Sequence, residues 1–133
     1  MPSIRHELSI QAPADSVWSA VRDFGAVHRR LAPGFVADAR MEGDARIVTF
    51  ANGTVARELL VDCDEVSRRL VYAIVSERVT HYNASVEVFD ASEGRSRIVW
   101  TIDFLPKEIA PYLLAQSTEG ARVMKQTLER AAS

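Results

Sequence analysis

Cysteine is nearly absent from this chain of 133 residues, since Cys63 is the only one. A single cysteine cannot form an intramolecular disulfide or a CxxC metal site. Long apolar runs are absent too, because no stretch approaches the 18 apolar residues that a membrane-spanning helix requires. Residues 1–7 carry charges where a secretory signal peptide needs an apolar stretch. We therefore expect a cytoplasmic protein without a membrane span.

The chain also lacks an excess of charge of one sign. Sixteen Lys and Arg residues against eighteen Asp and Glu residues give a formal net charge of −2. No strong electrostatic field therefore recruits nucleic acid or an anionic membrane surface. Arginines are paired at Arg29-Arg30 and Arg68-Arg69, but acidic residues are spread through the same chain. We expect no nucleic-acid partner.

Sequence motifs for metals and cofactors are missing as well. The three histidines, His6, His28 and His81, are far apart and share no metal-ligand spacing. Glycine-rich cofactor loops and Ser/His/Asp triad motifs do not occur in the sequence. We expect neither a bound metal nor a cofactor.

The composition is typical of a globular protein, with 47% hydrophobic and 26% charged residues. The length fits one domain over residues 1–133. Residues 3–11 alternate between the two faces of a half-buried strand, with Ile4, His6 and Leu8 on one face. Pro13 suits the first turn of a helix that ends at Gly25, and a second short helix runs to residue 34.

From residue 35 to residue 105 the pattern predicts six more strands. Val, Ile, Phe, Tyr and Thr are frequent there, and turn residues separate most of the segments. The segments lie near 35–41, 45–51, 54–64, 69–77, 79–90 and 95–105. Asn52-Gly53 predicts a two-residue type I′ hairpin, which needs a positive φ at both central positions. Strands that follow one another directly favour an antiparallel meander.

The last quarter of the chain, after Pro106, is predicted to be helical. Apolar residues there recur about every 3.6 positions. This stripe consists of Leu114, Ala121, Met124 and Leu128, widened by Leu113 and Ser117. Gly120 is unusual inside a helix, and close packing of the helix on the sheet would explain it.

Several of these segments match a known family. Residues 9–18, SIQAPADSVW, contain the pattern I-x-A-P-x-x-x-V-W, and residues 53–60, GTVARELL, contain a strand glutamate. These segments resemble the SRPBCC or START-like superfamily, which includes polyketide cyclase/dehydrase-like proteins, pollen-allergen-like proteins and plant abscisic acid receptors. Residues 100–106 and 107–132 resemble its final strand and its C-terminal helix.

The resemblance implies an α+β helix-grip fold. In this fold a curved seven-stranded antiparallel sheet wraps around the long C-terminal helix, with two short helices after strand 1. Because a long helix cannot fill a strongly curved sheet along its whole length, an apolar pocket with a few polar groups can remain. The resemblance therefore implies a small-molecule cavity.

Glu58 is the first candidate residue, and by the resemblance it points into that cavity. There a carboxylate could bind a polar ligand group or act as a base. Strict alternation disagrees, since it places Glu58 on the more polar face of its strand, opposite Val55 and Leu59. A bulge near Leu59-Leu60 would change the facing partway along. Glu58 is thus either a cavity carboxylate or a solvated strand residue.

Other candidates lie on neighbouring strands. By the resemblance, Tyr72 and Ile74 line the ligand pocket, and Tyr82 is similar to a pocket tyrosine. Val48 and Phe50 complete the lining from the hairpin before Asn52-Gly53. The alternative for the tyrosines is plain core packing.

The C-terminal helix and the first strand supply the remaining candidates. The resemblance implies that Leu114 and Thr118 face the cavity, with Arg122 near its edge. Arg122 either pairs with an anionic ligand group or with Glu58, or is a solvated arginine on the flank of the helix. His6 lies on the buried face of its strand, where it either transfers a proton near neutral pH or forms a hydrogen bond in the core.

Two classes of function stay open, with a purely interaction-based role as a third. In the first, the protein is a carrier or sensor that binds a hydrophobic or amphipathic small molecule. In the second, it is a cyclase- or dehydratase-like enzyme that uses Glu58 and nearby Tyr and His residues for proton transfer. Residues 70–75 are apolar on both strand faces, which suggests a homodimer that covers the outer sheet.

Overall fold

The computed structural model describes residues 2–133, which form seven strands and two α-helices. The strands are β1 (Ser3–Ile10), β2 (Val36–Glu42), β3 (Ala45–Phe50), β4 (Val55–Asp64), β5 (Arg69–Ile74), β6 (His81–Asp90) and β7 (Ser96–Leu105). The helices are α1 (Ala14–Arg22) and α2 (Ala110–Ala132), with short helical turns at Phe24–Ala26, Val27–Leu31 and Lys107–Ile109. This order of elements confirms the one predicted from the sequence.

All seven strands belong to one antiparallel sheet in the order β1-β7-β6-β5-β4-β3-β2. Strands β2 to β7 pair with their sequence neighbours, and β1 pairs with β7. Helix α2 packs on this sheet, and the core between them contains Ile98, Phe104 and Met124. Burying each such side chain contributes about 1.5–3 kcal/mol. The predicted helix-grip fold is confirmed.

Strand β4 contains a bulge that decides which residues face α2. The register between β4 and β5 shifts between Leu60 and Asp62. Before the bulge, Glu58 and Leu60 share the inner face, and after it Cys63 packs against the core. Because one extra residue inverts the alternation, the polar-looking face of the first half of β4 is the inner one. The bulge predicted near Leu59-Leu60 is therefore present, one residue further along the strand.

The hairpin between β3 and β4 differs from the predicted type I′ turn. Gly53 has a positive φ of 89°, but Asn52 does not. The Phe50 carbonyl accepts the Gly53 N–H at 2.9 Å, and the Phe50 N–H is donated to the Thr54 carbonyl at 2.8 Å. The loop therefore has three residues, 51–53, and only its last one needs the left-handed conformation of glycine.

Close packing explains Gly120, but the neighbour that requires a glycine is not the sheet, as was expected. A Cβ atom at this position would lie 3.0 Å from Cε2 of Phe35, closer than ordinary van der Waals contact. Phe35 precedes β2, so the close approach is to a loop side chain and not to a strand of the sheet.

The outer surface of the sheet gives limited evidence for the predicted homodimer. Val71 faces outward, yet it is only 5% exposed within the single chain. Val75, at the end of the same segment, is 64% exposed. The homodimer therefore stays a prediction. Within residues 2–133, no helix is long and apolar enough to cross a membrane.

Candidate functional site

A cavity of about 610 Å³ lies between the inner face of the sheet and α2. Its walls are mainly aliphatic and aromatic side chains. Aliphatic side chains come from α1 and the turn after it, from β3, β5 and β6, and from α2; they include Val21, Leu31, Val48, Ile74, Val86 and Met124. The aromatic side chains are Phe35, Phe50, Tyr72, Tyr82, Trp100 and Tyr112. Most of the lining is apolar, and a few polar groups lie within it.

One part of the wall, which we call the mouth, reaches solvent. Val55, Val75 and Tyr112 line the cavity and are 60%, 64% and 51% exposed. Asn52 donates a long side-chain hydrogen bond of 3.4 Å to the Tyr112 hydroxyl, which connects the β3–β4 loop to the start of α2.

At the other extreme, which we call the buried end, an ion pair is enclosed in the wall. Arg46 and Glu58 are directly opposite each other on β3 and β4, and Arg46 Nε donates to Glu58 Oε1 at 2.7 Å. Arg46 Nη1 also donates to the Phe24 carbonyl at 3.1 Å, and the guanidinium stacks over the Phe24 ring at 3.9 Å. Both charged residues are buried. Each therefore compensates the other's charge where water does not.

Two tyrosines lie beside this pair. The ring centroids of Tyr72 and Tyr82 are 6.5 Å apart, and both residues are buried. Burial, together with the nearby Glu58 carboxylate, raises the pKa of Tyr72, and burial likewise raises the pKa of Tyr82. Both hydroxyls stay protonated at neutral pH and can donate a hydrogen bond.

Trp100 lies next to the tyrosines and has a donor that is not used. Its Nε1 is buried and has no hydrogen-bond partner among residues 2–133. Such an unpaired group costs about 1–3 kcal/mol. The indole ring lies near the Tyr72 hydroxyl and also packs against the ring of His6, with 5.6 Å between centroids.

His6 contributes to the site through another residue. Its Nε2 atom lies 2.8 Å from Oγ of Ser117, and Ser117 lines the cavity. This hydrogen bond joins β1 to α2. Burial lowers the pKa of His6, so the imidazole is neutral at pH 7. His6 itself is not part of the cavity lining.

The sequence-based expectations for β3 to β6 agree with the placement of the side chains, whereas the candidate His6 on β1 is hydrogen-bonded to Ser117 and does not line the cavity. The cavity is lined by Val48, Phe50, Glu58, Tyr72, Ile74 and Tyr82. Their role in binding a ligand stays a prediction. Arg46 was missed, although the alternation that puts Val48 and Phe50 inward also includes Arg46. Trp100 was missed as well, although it shares a strand face with Ile98 and Ile102.

The expectation for α2 is wrong about which face lines the cavity. Leu114 is 52% exposed and Thr118 is exposed, while Arg122 pairs with Glu119 at 2.6 Å and not with Glu58. Successive helix positions differ by 100°, so an error of one position moves a side chain off the cavity face. The cavity face of α2 consists of Tyr112, Leu113, Gln116, Ser117, Gly120 and Met124.

Comparison with known proteins identifies the family. The profile of the family described as "polyketide cyclase / dehydrase and lipid transport" matches residues 1–133. The chain belongs to this family. No curated protein sequence matches it.

Solved structures with the same fold cover nearly the whole chain. An uncharacterized protein from Bacillus thuringiensis has a TM-score of 0.85 at 18% identity, over 96% of this chain and 98% of its own. A protein from Thermobifida fusca has a TM-score of 0.77 at 29% identity, over 97% and 91%. Norcoclaurine synthase from Thalictrum flavum, in complex with dopamine and hydroxybenzaldehyde, has a TM-score of 0.76 at 20% identity, over 98% and 85%. These likenesses concern the fold.

Proposed function

We propose that this protein binds a hydrophobic or amphipathic small molecule in the cavity between the sheet and α2. The observation that carries the proposal is the cavity itself, which has about 610 Å³ and a mainly apolar lining with few polar groups. Sites for small molecules have this size and composition. Water in such a cavity gains little from its walls, so an apolar ligand replaces it favourably.

The polar groups of the cavity favour binding over catalysis. Glu58 is held by Arg46 at 2.7 Å, so its charge is compensated inside the protein. A carboxylate in this arrangement orients a polar ligand group more readily than it removes a proton. A carrier or sensor is therefore preferred over a cyclase or dehydratase.

The fluorescent amphiphile 8-anilinonaphthalene-1-sulfonate tests this proposal, because its emission rises when it leaves water. We expect one molecule to bind per chain and the fluorescence to saturate. Leu113→Trp narrows the cavity and should weaken binding, whereas Leu114→Trp, on the exposed side of α2, should not.

Circular dichroism provides the control that both variants are folded. Equal binding by the two variants, or no saturable fluorescence with the natural chain, would contradict the proposal.

A further inference from the structure

Aromatic side chains are concentrated around the cavity. The whole chain has ten of them, namely 5 Phe, 2 Trp and 3 Tyr among 133 residues. Six of these ten are among the 33 residues that line the cavity, including all three tyrosines. The aromatic share of the lining is thus more than twice the 8% of the chain.

These rings are arranged as aromatic pairs prefer. Phe35 and Phe50 meet edge to face, with 5.5 Å between centroids and 69° between planes. Tyr72 and Tyr82 are tilted by 36° at 6.5 Å. Flat molecules can add to such arrangements by offset stacking or by edge contacts. An alkyl chain gains only the free energy of removing its surface from water.

The two tyrosine hydroxyls and the Trp100 indole can each donate a hydrogen bond into the cavity. Tyr72 and Tyr82 keep their protons because burial raises the pKa of both. Trp100 Nε1 has only a proton to give, and it has no partner among the described residues. An oxygen atom of a bound molecule would accept a hydrogen bond from one of these donors. A hydrocarbon offers no such acceptor.

The charge at this end limits the kind of acceptor. The Arg46 guanidinium is used by Glu58 and by the Phe24 carbonyl. The other arginines of the lining, Arg57 and Arg78, are exposed. A second carboxylate or a phosphate at the buried end would therefore approach the Glu58 carboxylate without a further buried cation to compensate it. A neutral oxygen meets no such repulsion.

We infer that the ligand is an aromatic molecule with a neutral hydroxyl or carbonyl oxygen, whose ring packs among the cavity aromatics and whose oxygen binds the Tyr72–Tyr82 pair. This inference rests on the proposed function and specifies the chemistry of the same site.

Three probes with ten carbon atoms each test it by equilibrium titration: 2-naphthol, naphthalene and decan-1-ol. Because apolar area alone drives transfer from water, hydrophobicity ranks decan-1-ol first. The inference predicts the reverse, with 2-naphthol bound at least about five-fold more tightly than naphthalene, the worth of one neutral hydrogen bond. A fourth probe, 2-naphthoate, should bind more weakly than 2-naphthol.

Variants locate the oxygen. Tyr72→Phe and Tyr82→Phe should each weaken 2-naphthol binding about five-fold, the effect of one lost hydrogen bond, and leave naphthalene binding unchanged. Thr118→Val removes an exposed hydroxyl of α2 outside the cavity lining; it is the control and should change neither. Should Tyr72→Phe fail to fold, Tyr82→Phe and the four probes still test whether the ligand oxygen binds the tyrosine pair.

The outcomes separate the two proposals. Tightest binding of decan-1-ol, or no effect of either buried tyrosine on 2-naphthol, overturns the aromatic inference and leaves ligand binding in place. Saturable binding of none of the four probes overturns the inference, and failure of the anilinonaphthalene titration as well overturns the proposed function with it.

Discussion

The buried end and the mouth of the cavity differ in how they use side chains. At the buried end, Arg46, Glu58, Tyr72 and Tyr82 are all less than 10% exposed. At the mouth, the apolar residues Val55 and Val75 are at least 60% exposed. An ion pair and two hydroxyl groups thus lie where water is excluded, and two apolar side chains lie where water is present. Interactions at the buried end are strong because water does not compete for the charges and hydrogen bonds there. At the mouth water can replace a lost contact, so we expect substitutions there to change stability little.

The largest expected effect is on the buried ion pair. Glu58→Ala leaves the Arg46 guanidinium buried without its carboxylate, so the free energy of unfolding should fall by about 3–5 kcal/mol. Urea denaturation measures this. Glu119→Ala breaks the exposed pair with Arg122 and should cost much less, because solvent screens both charges. Similar losses for the two variants would remove the contrast between enclosed and exposed charge.

Adjacent leucines of α2 give the next effect. Leu113 packs against the core and Leu114 is 52% exposed. Leu113→Ala should lower the free energy of unfolding by about 1–2 kcal/mol, less than the loss of a fully buried leucine. Leu114→Ala should change it by less than about 0.5 kcal/mol. The reverse order in urea denaturation would mean that α2 is rotated from the orientation described.

The prediction for the adjacent leucines concerns the helix face that sequence reasoning assigned incorrectly, and the cause is physical. A strand has a period of two, so one correct residue fixes its whole inner face, as happened on β3 and β5. Helical positions are 100° apart, and Leu114 is as apolar as Leu113, so composition does not separate them. Ser117 was in the predicted stripe, but its contact with His6 joins residues 111 positions apart. No local pattern reveals such a contact.

Strand β4 shows the limit for sheets. Its alternation is inverted by the bulge between Leu60 and Asp62, and a bulge depends on the register with the neighbouring strand. The resemblance to the family placed Glu58 correctly where alternation alone did not. Its partner Arg46 was identifiable from the facing of β3, but a charged residue on an inner face is unusual without a known partner.

A smaller effect is expected on the pH dependence of stability. Burial lowers the pKa of His6 in the folded protein. Below the ordinary histidine pKa of about 6.5, His6 therefore binds a proton more readily in the unfolded chain than in the folded protein. The contribution of His6 is therefore complete above that pH and is lost as the pH falls toward the folded value. His6→Gln should flatten the decline in melting temperature between pH 7 and 5. Exposed His81 is the control, and an equal flattening by His81→Gln would contradict the assignment.

The smallest effect is expected at the mouth. Tyr112→Phe removes the hydroxyl that accepts the 3.4 Å hydrogen bond from Asn52. Because this bond is long and exposed to water, thermal denaturation should show a change below about 0.5 kcal/mol. A loss as large as that of Leu113→Ala would show that the mouth is a structural part of the fold.

Nuclear Overhauser contacts between the protein and bound 2-naphthol test the central claim most directly. The account predicts contacts from the naphthol ring protons to the rings of Tyr72 and Tyr82 and to the methyl groups of Leu113, and none to Leu114. Contacts confined to exposed side chains, or to Leu114 and not Leu113, would contradict a ligand site between the sheet and α2.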